Sequence, residues 1–371
     1  MTTQILQNWK ETKFKDFVRL QRGFDLPKQD RKDGTYPVIA STSVTGYHDK
    51  YKVEPPCVTT GRSGALGEVL FIKSKCWPLN TALWIKDFKG NDPYFVYSKL
   101  KTLHLEQYNS GAGVPTLNRN HLDQIRVDVP PLTDQKQISN ILSTYDDLIE
   151  NNTRRIEIVE QITQAIYTEW FVNFRFPGHE KVKMVDSGTD FGKIPEGWEV
   201  KSIGDILTVK YGKNLPKTKI TESGEYPVYG AGGVIGFYTE KNVDEKTALI
   251  TSRGNGSGTV WRTKGAGFVT NNSFTVVGND EHLYLDMSFI YNSLLNANIR
   301  SSISGSAQPQ VTINSLNYVQ VIVPEKNLVE SFQSEIYPLY ILVDKLFMVN
   351  QNLSLTRDSL LPKLVTGEIR I

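Results

Sequence analysis

The chain has little cysteine, histidine or methionine and almost no excess of charge of either sign. Its 371 residues include two cysteines, five histidines and four methionines, and Lys+Arg exceeds Asp+Glu by only enough to give a net charge of +2. The histidines, His48, His104, His121, His179 and His282, are scattered, and none stands at metal-ligand spacing from another, which argues against a metal centre. Both cysteines, Cys57 and Cys76, fall in the first half, and the second half has no counterpart. The expectation is two buried free thiols and no structural disulfide. No uninterrupted apolar run approaches the roughly 20 residues needed to span a bilayer. The stretch from Met1 to Lys10 lacks the apolar core of a secretion signal, so a cytoplasmic protein is expected. A near-neutral total neither demands nor excludes nucleic acid, because a basic face fits inside a balanced sum.

What is present is a repeat. Trp9, Asp16, Gly23, Leu26-Pro27-Lys28 and Tyr36-Pro37-Val38 recur as Trp198, Asp205, Gly212, Leu215-Pro216-Lys217 and Tyr226-Pro227-Val228. Further pairs are Arg62/Arg253, Gly67/Gly258, Asn80/Asn271, Pro115/Pro309, Leu122/Leu316 and Pro130/Pro324, with the offset drifting only from 189 to 194. Such a period is far above that of solenoids and propellers and marks duplication of a whole domain. With 39% hydrophobic and 22% charged residues, each copy has the makings of an ordinary globular core.

Each copy changes character part way along. The first stretch holds short alternating apolar runs cut by Gly, Pro, Asn and Ser, which predicts a mostly β domain. The expected strands are Tyr36 to Ala40, Cys57 to Thr60, Val69 to Ile72, Ala82 to Ile85 and Ile125 to Val129. Their counterparts are Tyr226 to Tyr229, Ala248 to Thr251, Thr259 to Arg262, Ser273 to Val277 and Val319 to Val323. One helix is predicted at Pro93 to Thr102 and again at Met287 to Leu295, N-capped by Asp92 and Asp286.

From Thr133 to Arg175 there is neither Pro nor Gly, and Ile138, Ile141, Tyr145, Leu148, Val159, Ile162 and Ile166 trace a heptad-like stripe interrupted by Asn152 and Arg155. A matching stripe closes the second copy, from Phe332 and Ile336 to Leu360 and Leu364, with Pro338 expected to kink the helix or mark its start. Rods of roughly 60 Å follow at about 1.5 Å per residue. The expected class is therefore α+β: two similar β-rich domains separated by two long antiparallel helices, coiled-coil-like. The expected divisions are 1–132, first domain; 133–176, first helix; 177–195, linker; 196–325, second domain; 326–371, second helix and tail. The alternative is that each helix folds back on its own domain.

The search for chemistry leaves few motifs. Asn91-Asp92-Pro93-Tyr94 is similar to the loop of adenine methyltransferases. The second copy reads Asp286-Met287-Ser288 there, no glycine-rich cofactor turn precedes either, and a helix start explains the motif. The glycine-rich turns Gly61 to Gly67 and Ser252 to Gly258 lack a P-loop ending and lead into strands. An arginine in a glycine turn suits phosphate or a guanine edge through its bidentate fork, which makes Arg62, Ser63, Arg253 and Asn255 candidate ligand contacts. Lys28 and Lys217, each after Leu-Pro, are candidates of the same kind. The loops around Ser41 to Lys50 and Asn109 to His121 differ from their counterparts. Shared residues would then hold the frame while divergent ones read identity.

The ordered combination resembles the DNA-specificity subunit of type I restriction-modification systems. The residues that carry the resemblance are the lead-in Ile194-Pro195-Glu196-Gly197-Trp198, weakened to Asn8-Trp9 in the first copy; the helix exit Trp170-Phe171-Val172-Asn173-Phe174; the helix lead-ins Val127 to Pro131 with Gln135, and Val321 to Pro324; and the closing Leu360 to Ile369. The resemblance implies a non-catalytic subunit whose domains each read one half of a split, asymmetric target in double-stranded DNA. The helices would set the spacer and dock two methyltransferase subunits, with Tyr145, Ile149, Ile156, Trp170, Phe171, Leu346, Leu353 and Leu360 as candidate contacts. It also implies restriction (ATP-dependent translocase/nuclease) subunits as partners. No cofactor is expected on this chain; S-adenosylmethionine, ATP and Mg are expected on the partners. The alternatives are a stand-alone DNA adenine methyltransferase, which lacks its cofactor motif here, and a duplicated adhesion or carbohydrate-binding protein.

Overall fold

The short segments pair into sheets in the same order in both halves. The structure, a computed structural model, describes residues 8–111, 113–305 and 308–371. For 1–7, the expectation about the N-terminal stretch lies outside the described residues. Two units are delimited, Met1–Asn151 with Val349–Ile371, and Asn152–Met348.

In the first unit a four-stranded antiparallel sheet runs in the order Arg19–Arg22, Ala82–Asp87, Cys57–Gly61, Val69–Ile72. A second sheet orders Val44–His48, Tyr36–Ile39 and Trp77–Pro78, the last pairing parallel, and Lys10–Lys13 pairs with Arg126–Val129. Cys57–Gly61 is buried along its whole length, as a strand flanked on both sides and covered on both faces must be. The second unit repeats this with Leu207–Tyr211, Ser273–Gly278, Ala248–Thr251 and Val260–Arg262, then Val234–Tyr238, Tyr226–Tyr229 and Phe268–Val269. Even the irregularities recur, since the ladder slips between Pro37 and Ile39 and again between Pro227 and Tyr229. Proline has no N–H to give the ladder, so the shared Tyr-Pro-Val places the slip. Gly23 and Gly212 recur for a steric reason: an added Cβ would lie 2.2 Å from the carbonyl oxygen of Leu79 or of Thr270.

The capped helices form at Pro93–Lys101 and Met287–Asn296, where Asp92 and Asp286 accept the N–H groups of the first turn. The long helices are Leu132–Tyr167, continued by a π turn at Thr168–Val172, and Lys326–Val365, which runs through Pro338 without starting there. Each contributes to both units. In the first unit Ile138 and Leu142 share a core with Leu361, Leu364 and Val365. In the second, Tyr167 and Phe171 share a core with Phe332 and Ile336. The start of one helix thus meets the end of the other, and the reverse, which is antiparallel pairing. Neither helix simply folds back on its own domain.

Two further expectations change. The first helix does not reach 176, because the chain leaves helical geometry after Val172 and buries Phe176. The stretch 177–195 is more than a linker. It holds a 3-10 turn, His179–Lys181, and a hairpin of Met184–Asp186 with Lys193–Pro195, and Ile194 enters the core of the second unit. Gly, Lys and Asp allow the bends, while the apolar Phe176 and Ile194 anchor the ends.

Charge ties the sheets to the helices. In the second unit Arg262, with 2% of its side chain exposed, reaches Asp344 at 3.1 Å and Glu160 at 3.8 Å and lies 4.6 Å from the Tyr340 ring. In the first unit Asp146 accepts from both the Tyr94 hydroxyl and Arg357, and Lys73 bridges Asp147 and Glu150 at 2.7 Å each. Burial, then the neighbouring Asp146 carboxylate, pushes the Tyr94 hydroxyl well above its usual range. Among the described residues no helix is long and apolar enough to cross a membrane.

Candidate nucleic-acid interface

The glycine turns are built by backbone bonds that define which residue matches which. In the first unit the Arg62 N–H donates to the Thr81 carbonyl, the Leu117 N–H donates to the Arg62 carbonyl, and the Gly64 N–H donates to that of Pro115. In the second unit Ser252 N–H donates to Asn272, Val311 N–H to Ser252 and Gly254 N–H to Pro309. Arg62 therefore corresponds to Ser252, and Arg253 to Ser63. This corrects the pairing of the two arginines, because aligning identical residues slips the register by one position. A slip of one reverses side-chain direction in extended chain. Arg62 is half-buried and donates from Nη1 to the Asn80 carbonyl at 3.1 Å, whereas Arg253 is exposed.

Around Arg62 the first unit forms a polar cleft of about 390 Å³ lined by Arg22, Arg62, Ser110, Thr116, Asn118 and Arg119. Arg22 ends an edge strand and pairs with Asp25 at 3.1 Å, and the Asn80 amide donates to the same carboxylate. Arg119 is exposed and opens a one-turn helix capped by Asn118. Ser63 is half-buried, and its carbonyl accepts from the Ser41 hydroxyl at 2.7 Å, so it braces the turn. Asn255 is exposed on the corresponding turn. Lys28 and Lys217 each begin a 3-10 turn, Lys28–Asp30 and Lys217–Lys219, and both are exposed behind a proline that fixes the approach of the chain.

Arg22 and Arg119 went unrecognised in the sequence. Their counterparts are Tyr211 and Ile313, so a search for residues that recur passes over them. The usable signal was cations placed where the other copy has none.

The methyltransferase-like motif is occupied by structural work. Asp92 caps its helix and accepts from the Ser139 hydroxyl, and Asn91 donates to the carbonyls of Phe17 and Phe88. Gln135, 2% exposed, donates to Asn91 Oδ1 and the Pro130 carbonyl, locking the motif to the start of the long helix. The thiols are buried and free, and the hydrogen bond to Cys76, with burial, pushes the Cys57 thiol upward, away from nucleophilic use. Among the described residues no cluster of His, Cys, Asp or Glu could hold a metal ion.

The helix residues proposed for docking fall mainly on inner faces. Phe171 and Leu346 are buried, Trp170 packs against Phe332, and Leu360 packs against the first unit's core. Tyr145, Ile149, Ile156 and Leu353 are half-buried. The apolar side chains that face solvent are others: Leu132, Leu148, Ile158 and Ile162 on the first helix and Tyr337, Met348, Val349 and Leu355 on the second. The heptad-like stripe is only partly a seam: its Ile138 and Val159 are buried, while its Leu148 and Ile162 face solvent.

Residues 7–161 and 195–338 match the family described as type I restriction modification DNA specificity domain. Over 310 residues the chain is 27% identical to the type I restriction enzyme MjaIX specificity subunit of Methanocaldococcus jannaschii, covering 75% of this chain and 68% of that protein. Identity to the putative type I specificity subunit S.MgeORF438P of Mycoplasma genitalium is 24% over 375 residues, covering 96% and 94%. The crystal structure of the type I restriction-modification system S subunit from M. genitalium shares the fold, with a TM-score of 0.61 at 20% identity and 96% of each chain covered.

Proposed function

The chain belongs to the type I restriction-modification DNA specificity family, whose members are non-catalytic, and from that premise we propose that each β-rich unit reads one half of a bipartite, asymmetric target in double-stranded DNA. One observation carries this reading. Strand order and irregularities repeat between the units while the polar side chains beside the glycine turns do not, as in Arg22 against Tyr211 and Thr116 against Gln310. A constant frame with variable contacts is what two readers of different sequences need.

The helices would set the gap between half-sites. A helix of 36 residues at about 1.5 Å per residue is roughly 54 Å long, and half-sites read from one face of B-DNA lie about 34–36 Å apart. Methyltransferase subunits, two per complex, would dock on the helices, and the solvent-facing Leu148, Ile158, Ile162 and Leu355 suit this better than the seam. Those subunits would carry S-adenosylmethionine, and separate restriction subunits would use ATP and Mg. Lys28, Lys217 and Arg253, exposed on their turns, would add phosphate contacts, making affinity fall with salt.

Methylation mapping of DNA from cells carrying the chain with its methyltransferase partner tests this directly. The expected result is one motif of two unlike halves with a fixed gap. A continuous or palindromic methylated motif would overturn it.

A further inference from the structure

We infer that the first unit grips DNA through a three-arginine cleft, Arg22, Arg62 and Arg119, for which the second unit has no equivalent; the inference rests on the DNA-reading function proposed above. The three side chains come from distant parts of the sequence, the end of an edge strand, the glycine turn and the start of a one-turn helix, yet line one cleft. By backbone bonding and strand register their counterparts are Tyr211, Ser252 and Ile313, none of them cationic.

In a chain whose net charge is only +2, three cations around one opening are a local excess. Mutual repulsion makes such a cluster unfavourable unless anionic or acceptor groups enter it. Among the described residues one carboxylate pairs with them, that of Asp25, and its pair with Arg22 is exposed on both sides, at 51% and 67%. A pair of that kind holds little energy, so Arg22 is free to exchange Asp25 for a ligand. Arg62 is held differently. The Asn80 carbonyl takes one of its donors, and the Asn80 amide binds Asp25, so Arg22, Asp25, Asn80 and Arg62 form one connected frame. The remaining donors of Arg62, with Arg119, Ser110, Thr116 and Asn118, line the cleft.

The common chemistry of the ligand is a pair of adjacent acceptor atoms that accepts a guanidinium fork. Two neighbouring phosphate oxygens offer it, and so do O6 and N7 of guanine in the major groove. The lack of cations at the three counterpart positions makes the two units unequal: contacts from these three positions belong to the first unit, whereas the second presents Arg253 one position along its turn.

The test uses the full chain assembled with its methyltransferase subunits. Fluorescent duplexes carry either the mapped target or a scrambled sequence, and binding is followed across a salt series for wild type, Arg22→Gln, Arg119→Gln and the counterpart control Tyr211→Ala. Phosphate contact predicts weaker binding of both duplexes by each arginine variant, with the salt slope reduced by about 1. Guanine contact predicts a loss of roughly 5- to 150-fold confined to the target, reproduced in wild type by 7-deazaguanine in the first half-site. Either result supports the cleft, provided that Tyr211→Ala leaves the salt slope unchanged. Wild-type affinity and slope in both arginine variants would overturn it while leaving the DNA-reading function standing. Absence of salt-dependent binding by the wild-type complex would overturn both. Because Arg22 and Arg119 are exposed, unchanged thermal melting of the variants is expected and separates lost contact from lost fold.

Discussion

Replacing Asp344 by alanine should destabilise the second unit by about 3 kcal/mol. Asp344 holds Arg262 at 3.1 Å, with side-chain exposures of 14% and 2%, and also pairs with Lys246. Removing one partner of a buried ion pair costs roughly 3–5 kcal/mol, because the other charge is left in a poor solvent. Here the lower end applies, since Arg262 keeps Glu160 at 3.8 Å and the Tyr340 ring at 4.6 Å. A cation over an aromatic face recovers about 1 kcal/mol of what is lost. The comparison variant is Lys73→Ala in the first unit. Its ion pairs are shorter, at 2.7 Å, but all three side chains are at least 51% exposed, so the expected cost is below about 1 kcal/mol. Hydrogen exchange of amides in Ala248–Thr251 and Val260–Arg262 reports opening of the affected sheet. In a melting experiment, a unit of this size should shift by about 6–12 °C. Exchanging both partners for apolar residues, Arg262→Met with Asp344→Leu, should restore most of the loss. If Asp344→Ala costs no more than Lys73→Ala, the burial argument is wrong.

Phe332→Ala should cost about 3–5 kcal/mol by cavity formation, because Phe332 is fully buried with its ring 5.0 Å from Phe171 and 5.7 Å from both Tyr167 and Trp170; urea unfolding of the second unit measures it. Stability should fall as pH rises from about 10 toward 12. Burial holds the hydroxyls of Tyr167 and Tyr340 protonated up to about 12, whereas the unfolded chain ionises them near 10. Their contribution is complete below pH 10, and tyrosinate absorbance should rise together with unfolding and not before it. Asp92→Ala should cost roughly 1 kcal/mol as a lost helix cap, and calorimetry should find no S-adenosylmethionine binding by the isolated wild-type chain. Heat released on cofactor binding would revive the stand-alone methyltransferase.

Elements whose apolar alternation and turn residues agree were legible in advance, some to the residue. Val69–Ile72, Tyr226–Tyr229 and Ala248–Thr251 are examples, and so are the caps Asp92 and Asp286. The misreadings have separate physical causes. Arg62 and Arg253 were paired because they are the same residue, but register is decided by backbone partners, and those match Arg62 with Ser252. The stretch 177–195 has the composition of a linker, yet two apolar side chains, Phe176 and Ile194, suffice to pin its ends into a core. Arg22 and Arg119 escaped because recurrence finds what holds the frame, and differences between copies are filtered out by the same comparison.

The division of the chain between its units bears on how it is made. The second unit is one uninterrupted stretch, Asn152–Met348, while the first joins Met1–Asn151 to Val349–Ile371. Leu361, Leu364 and Val365 belong to the first unit's core. Domains emerging from the ribosome generally fold in the order in which they are synthesised, but here the unit begun first has all its parts last. Until Val349–Ile371 is made, the core of the first unit lacks these three side chains. A nascent chain released before Leu361 would therefore carry all of the second unit but only part of the first unit's core.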